Sequence, residues 1–144
     1  MKKKILIICA DYYWHTTLSL KMDAENILDE SNIKYHSIHV PGIFEIPVVI
    51  SKNIKKYDGF IALGCVIKGE TPHFDFISKT TFEAIMNLSI QSKKPIGNGI
   101  ITALNNSQAI QRSGDPKLVL DKKKIKKGKG REAAKAVLSV LKNF

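Results

Sequence analysis

Between Gly64 and Asp75 the sequence reads GCVIKGETPHFD. A run of apolar residues gives way at once to Lys68, Gly69, Glu70, Thr71, Pro72 and His73. Thr71 fits the N-cap of a helix and Pro72 its first position, where a missing N–H costs little. The free N–H groups and dipole of a helix start favour an anion. Gly69 lets the backbone approach such an anion closely, and the Thr71 hydroxyl can donate to it. A glycine turn before a helix is also ordinary structure, and the stretch is neither a Walker loop nor a GxGxxG fingerprint. His73 falls at the second helical position, where the dipole disfavours a cation. A neutral imidazole there can take a proton near pH 7 and return it. A capping or surface histidine is the plain alternative. The stretch therefore combines the means to hold an anion and to move a proton where a strand ends.

Two other stretches share that position after an apolar run. CADYYWHTT supplies Tyr12, Tyr13 and Trp14, and PGIFEIP supplies Phe44 and Glu45. Aromatic faces at a strand-end cleft suit a flat heterocycle by stacking, and Glu45 can accept from the hydroxyls of a polar tail. Core packing for Phe44 and charge compensation at a helix start for Glu45 are the plain alternatives. His15, His36 and His39 are weaker candidates. The spacing of His36 and His39 points them to opposite faces of a strand, which is poor for a shared metal.

Short apolar runs alternating with amphipathic stretches supply the elements that must hold these segments. Strands are expected over 5–10, 34–40, 60–67 and 95–102. Helices are expected over 16–29, 44–56, 72–91, 105–113 and 131–142, the fourth with an Asn105 cap. The third helix should bury Phe74, Ile77, Thr81, Ala84 and Leu88. Residues 114–128 read as an irregular basic loop. Strand–helix alternation with short turns implies a three-layer α/β/α domain around a parallel sheet. Right-handed crossovers give the flavodoxin-like strand order 2-1-3-4, with ligands beyond the carboxyl ends of the strands. Residues 1–144 read as a single domain, with no repeat and no linker.

Composition narrows the function classes. The formal net charge is +10, concentrated in Lys2–Lys4 and in DKKKIKKGKGR at 121–131. Such clusters fit a solvated loop, an anion-attracting site edge or a nucleic-acid surface. No apolar run approaches the ~20 residues that span a bilayer. The apolar part of MKKKILIICADYYWH is too short for a secretory signal, so a cytoplasmic protein is expected. Cys9 and Cys65 lie in apparent strands without metal-ligand spacing and read as reduced core thiols. A flavin-binding electron carrier of the same fold would need a hydroxyl-rich phosphate loop after the first strand, and CADYYWHTT has no glycine there.

PGIFEIP, ALGCVIKGETPHFD, PIGNGIIT, IQRSG and GKGREAAKAVL, taken in order, resemble the successive blocks of the lumazine synthase family of riboflavin biosynthesis. The blocks cover nearly the whole chain. The resemblance implies a transferase that condenses 5-amino-6-(D-ribitylamino)uracil with 3,4-dihydroxy-2-butanone 4-phosphate, without metal or organic cofactor. It implies that Tyr12, or Trp14 close by, stacks on the pyrimidine. Ile43, Phe44 and Glu45 would bind the pyrimidine and ribityl chain, with Val66, Ile67 and Lys68 beside the pyrimidine. Gly69, Glu70 and Thr71 would form the phosphate-binding turn, Arg112 the phosphate-binding arginine and His73 the proton-transfer histidine. Asn98 stands where the family often has Phe, replacing a stacking wall by an amide. Lys129, or Lys127, matches a lysine near the site.

Asn98 lies near the start of its strand and His73 beyond the end of the neighbouring one. These positions should be roughly 15–20 Å apart. One copy is therefore expected to supply Tyr12, Phe44 and His73, and its neighbour Asn98, Arg112 and Lys129. A head-to-tail ring meets that demand. The resemblance implies a homopentamer, with riboflavin synthase downstream and neither nucleic acid nor membrane as a partner. Many members close twelve pentamers into a shell. GDPKLVLDKKKIKKGKG before the last helix should splay the last two helices and block closure, and the family's N-terminal arm would be nearly absent, so a pentamer is favoured over the shell.

Overall fold

The computed structural model describes residues 2–114 and 128–144. Four strands, β1 (Lys4–Ala10), β2 (Lys34–Val40), β3 (Gly59–Ile67) and β4 (Ile96–Ala103), alternate with five helices among these residues. The helices are α1 (Trp14–Glu30), α2 (Ile46–Asn53), α3 (His73–Ser92), α4 (Asn106–Ser113) and α5 (Lys129–Asn143). The strands form one parallel sheet in the order β2-β1-β3-β4, as the sequence pattern predicts.

Residues alternate between the two sheet faces, so each strand feeds two cores. Ile5, Ile7, Ile61, Leu63 and Ile101 pack with Leu20, Ala24, Ala134 and Val137 of α1 and α5. Leu6, Ile8, Phe60, Ala62 and Ile100 pack with Ile46, Ile50 and Ile85 of α2 and α3. The internal strands β1 and β3 are apolar nearly throughout because both of their faces are covered.

The helix boundaries depart from expectation where local geometry is tight. Residues 43–45 form a separate 3₁₀ turn, and α2 ends at Asn53 rather than reaching Lys56. Pro72, not Thr71, caps α3, so His73 is the first helical residue rather than the second. Thr71 still serves the helix start, its hydroxyl accepting from the His73 backbone N–H at 3.4 Å. Asn105 caps α4 as expected, accepting from the Gln108 N–H at 2.9 Å.

The inner face of α3 is rotated from the expected one. Thr81 is buried, but so are Ser78 and Ile85, whereas Phe74, Ile77, Ala84 and Leu88 are only half-buried. Apolar residues occur all round α3, and Phe76, Met86 and Ile90 point outward, each at least 60% exposed. The basic stretch 115–127, including Lys127 and most of the insertion expected to affect the last two helices, lies outside the described residues.

Candidate active site

The carboxyl ends of β1 and β3 open into a cleft of about 240 Å³ lined by Tyr12, Tyr13, Ile43, Val66, Ile67 and His73, among others. Tyr12 is 77% exposed and meets the Tyr13 ring edge-on at 4.9 Å. Trp14, the first residue of α1, turns instead toward His39, with ring centroids 5.0 Å apart. His39 in turn contacts Asp11 at 2.9 Å. Of the two aromatics open after β1, Tyr12 thus lines the cleft, while Trp14 packs partly against the core.

Ile43 is buried and walls the cleft, while Phe44 is 61% exposed, so core packing does not account for Phe44. Glu45 is half-buried at the end of the same turn. Lys68 donates its backbone N–H to Ala103 at 2.9 Å, one residue past the end of β3. Gly69 follows directly. A Cβ there would meet nothing within 4 Å, and its φ is not left-handed. Nothing among the described residues demands glycine at that point; close approach by a ligand would. Glu70, Thr71 and His73 are exposed beside it at the head of α3.

A second group gathers elsewhere. Asn98, Arg112 and Lys129, with Phe82, Ile100 and Thr102, line a hollow of about 320 Å³ along β4. Arg112, on the last turn of α4, donates from Nη1 to the Thr102 carbonyl. Lys129 opens α5 and lies 3.8 Å from Glu132. In the sheet register Asn98 sits beside Ala62 and Ala103 beside Ile67. Asn98 is thus five residues short of the strand end that faces His73, or ~16 Å along the strand. The site residues expected from the sequence therefore line two hollows, with Asn98 set back along β4 from the cleft and Arg112, bonded to Thr102 opposite Val66, nearer the strand end.

Sequence reasoning overlooked Cys65, Ile77 and Gly42 in the cleft and Phe82, Ile100, Ile101 and Thr102 in the hollow. Cys65 reads as a core thiol and is buried, burial pushing its thiol up to about 11, yet it also reaches the cleft. Its position two residues before Ile67, on the same strand face, is the signal that could have found it. His36 contacts the Tyr57 hydroxyl at 3.0 Å, far along β2 from the Asp11–His39 pair.

Known proteins resemble this chain over nearly its whole length. The family model for 6,7-dimethyl-8-ribityllumazine synthase matches residues 2–144. A protein of that name from Bartonella tribocorum is 38% identical over 98% of this chain and 91% of its own length. Namesakes from Agrobacterium fabrum and Novosphingobium aromaticivorans are 37% and 39% identical, covering 97% and 96% of this chain and 93% and 94% of their own. A match that runs through both clusters and the sheet joining them leaves one assignment: the chain belongs to the 6,7-dimethyl-8-ribityllumazine synthase family.

Proposed function

We propose that this chain condenses 5-amino-6-(D-ribitylamino)uracil with 3,4-dihydroxy-2-butanone 4-phosphate, giving 6,7-dimethyl-8-ribityllumazine, phosphate and water. It does so as a cytoplasmic enzyme of riboflavin biosynthesis whose product passes to riboflavin synthase. One observation carries the activity, the family match over residues 2–144. The setback of Asn98 along β4, in a hollow separate from the cleft, supports the further reading that each site is shared between neighbouring copies in a pentameric ring. The two interface patches differ, so head-to-tail contacts close a ring rather than a two-fold dimer.

In this reading Tyr12 stacks on the pyrimidine. Ile43, Phe44, Glu45, Val66, Ile67 and Lys68 seat the ring and its ribityl chain. Gly69, Glu70 and Thr71 receive the phosphate at the head of α3, and the neighbour's Arg112 grips it from the other side, a charge-assisted contact. The uracil's free amine attacks the ketone, and loss of water leaves a Schiff base. Deprotonation beside the imine expels phosphate, the enol left behind tautomerises to a ketone, and the second amine attacks that ketone and closes the lumazine ring with loss of a second water. Most of these steps move protons around one former carbonyl, within reach of a single base at His73. One positioned base contributes typically about 10²–10⁴-fold. Holding the two substrates in register supplies more, on the order of several kcal/mol.

The direct test is to mix the purified protein with both substrates and follow lumazine fluorescence. Steady appearance of the product is the expected result, and none above the uncatalysed rate would overturn the proposal.

A further inference from the structure

Tyr12 stands on the turn between β1 and α1, and α1 begins without a side-chain cap, Tyr13 taking the N-cap position with no side-chain hydrogen bond. The Tyr12 ring is largely exposed, and its edge-on contact is with its own sequence neighbour, Tyr13. Packing around the ring therefore does little to hold it over the cleft. The course of the turn has to do so.

That turn is tied to the end of β2 by backbone and side chain alike. The Asp11 N–H donates to the Val40 carbonyl at 2.9 Å. His39 Nδ1 lies 2.9 Å from Asp11 Oδ1, and the His39 ring meets the Trp14 ring edge-on at 5.0 Å. His39 is thus touched by the residues on both sides of Tyr12 and Tyr13. A carboxylate only accepts, so His39 Nδ1 is the donor in its contact with Asp11. The cluster sits on the α1 side of the sheet: His39 pairs in register with Cys9 of the α1–α5 core, and Asp11 follows Cys9 by two positions. Beyond His39 the chain runs through Val40 and Pro41 into Gly42 and Ile43, which wall the cleft opposite Tyr12 and Tyr13 in the sequence order of its lining. His39 itself does not line the cleft. It joins the turn that carries Tyr12 to the segment that carries Ile43. Both Asp11 and His39 side chains are nearly half exposed, and such pairs add little to folding. What the contact supplies is geometry.

Resting on the reading in which Tyr12 stacks on the pyrimidine, we propose that His39 is a positioning residue whose bond to Asp11 sets the β1–α1 turn, so that the Tyr12 ring stands over the cleft before a ligand arrives. A ring already held in its bound orientation spares the ligand the cost of ordering it. His39 acts only through Tyr12.

The test titrates 6,7-dimethyl-8-ribityllumazine by fluorescence into the unaltered protein, His39→Leu, His39→Asn, Tyr12→Ala and the double variant Tyr12→Ala with His39→Leu. Leucine removes the donor to Asp11. Asparagine returns one, since its Nδ2 lies as many bonds from the backbone as the histidine Nδ1. His39→Leu should weaken binding about threefold, the scale of an exposed contact, with melting temperature nearly unchanged. His39→Asn should recover most of that loss. Without Tyr12, the His39→Leu change should cost nothing further, because two residues acting as one unit do not add. No loss in His39→Leu, a loss that asparagine does not recover, or one that persists in full without Tyr12 would overturn the role of His39 alone. Tyr12→Ala binding as tightly as the unaltered protein would overturn this proposal together with the stacking on which it rests. Absence of lumazine binding by the unaltered protein would overturn the proposed function as well.

Discussion

At the scale of single residues, His73 joins two independent features. It is the first residue of α3, beside free helix-start N–H groups, and it lines the strand-end cleft. The residue type and the neighbouring Thr-Pro were legible in the sequence; its place as first rather than second helical residue was not. Pro72, at φ −70° and ψ 4°, stays outside the helix and takes the capping position itself. His73→Ala should slow lumazine formation at least about tenfold while leaving the oligomer intact. Equal turnover in a rate assay on sedimentation-matched samples would remove His73 from the proton transfers. The cysteines give a different residue-scale expectation. Burial pushes the Cys9 thiol from its ordinary 9.0 up to about 12, and Cys65 to about 11. Below pH 9 both folded and unfolded chains keep these protons, so their contribution is fully present. As pH rises toward those folded values only the unfolded chain releases them, and stability falls. Denaturant melts at about pH 8 and about pH 10 should therefore differ less in Cys9→Ala than in the unaltered protein. An equal alkaline loss in both would contradict the assignment.

At the scale of elements, the strands were legible nearly to the residue, because covered parallel strands leave short apolar runs between turns. The helix faces were less so. Apolar residues surround α3, so periodicity alone does not choose the side that meets the sheet. The glycines of PIGNGIIT had no visible role until α5 was placed. A Cβ on Gly97 would lie 2.4 Å from the Ala133 carbonyl oxygen, and one on Gly99 2.5 Å from Leu63 Cδ2. Gly130 shows the same need where α5 crosses α1, a Cβ there coming within 2.2 Å of the Leu20 carbonyl oxygen. α5 is thus pressed onto β4 and α1 by backbone contacts that tolerate no side chain. This close seating also sets Lys129, at the start of α5, over the hollow that holds Asn98 and Arg112. Because the group opposite Gly97 is backbone, it cannot swing aside as a side-chain end would. Gly97→Ala should cost about 1–3 kcal/mol of stability, the usual scale of overpacking. Chemical denaturation measures it, and a midpoint equal to that of the unaltered protein would show that α5 can lift away without penalty.

At the scale of the whole molecule, the outward apolar residues and the divided site point the same way. Phe44, Val48, Phe76, Met86 and Ile90 leave the α2–α3 side apolar and uncovered in a single chain, as expected of a face buried against a neighbour. The sequence carried most of the polar and aromatic residues of both clusters and a division of them between copies, but not Cys65, Ile77, Gly42 and Phe82, whose places depend on how the strands and helices pack. A mixing experiment separates the shared site from a site within one chain. His73→Ala disables the cleft and leaves the β4 hollow intact, while Arg112→Ala weakens the hollow and leaves the cleft intact. Each variant alone should be slow when the phosphate substrate is well below saturation. If the site is shared as proposed, co-expression in equal amounts gives rings in which some cleft–hollow pairs combine two unaltered halves. Random assembly makes that fraction about one quarter, since each half is unaltered in about half the copies. Activity should therefore rise to about a quarter of the unaltered level under the same conditions. If both groups served a site within one chain, no co-assembly could reunite two intact halves, and the mixture would show only the average of the two slow variants. That average is the result that would dismantle the shared site while leaving the family and its reaction in place.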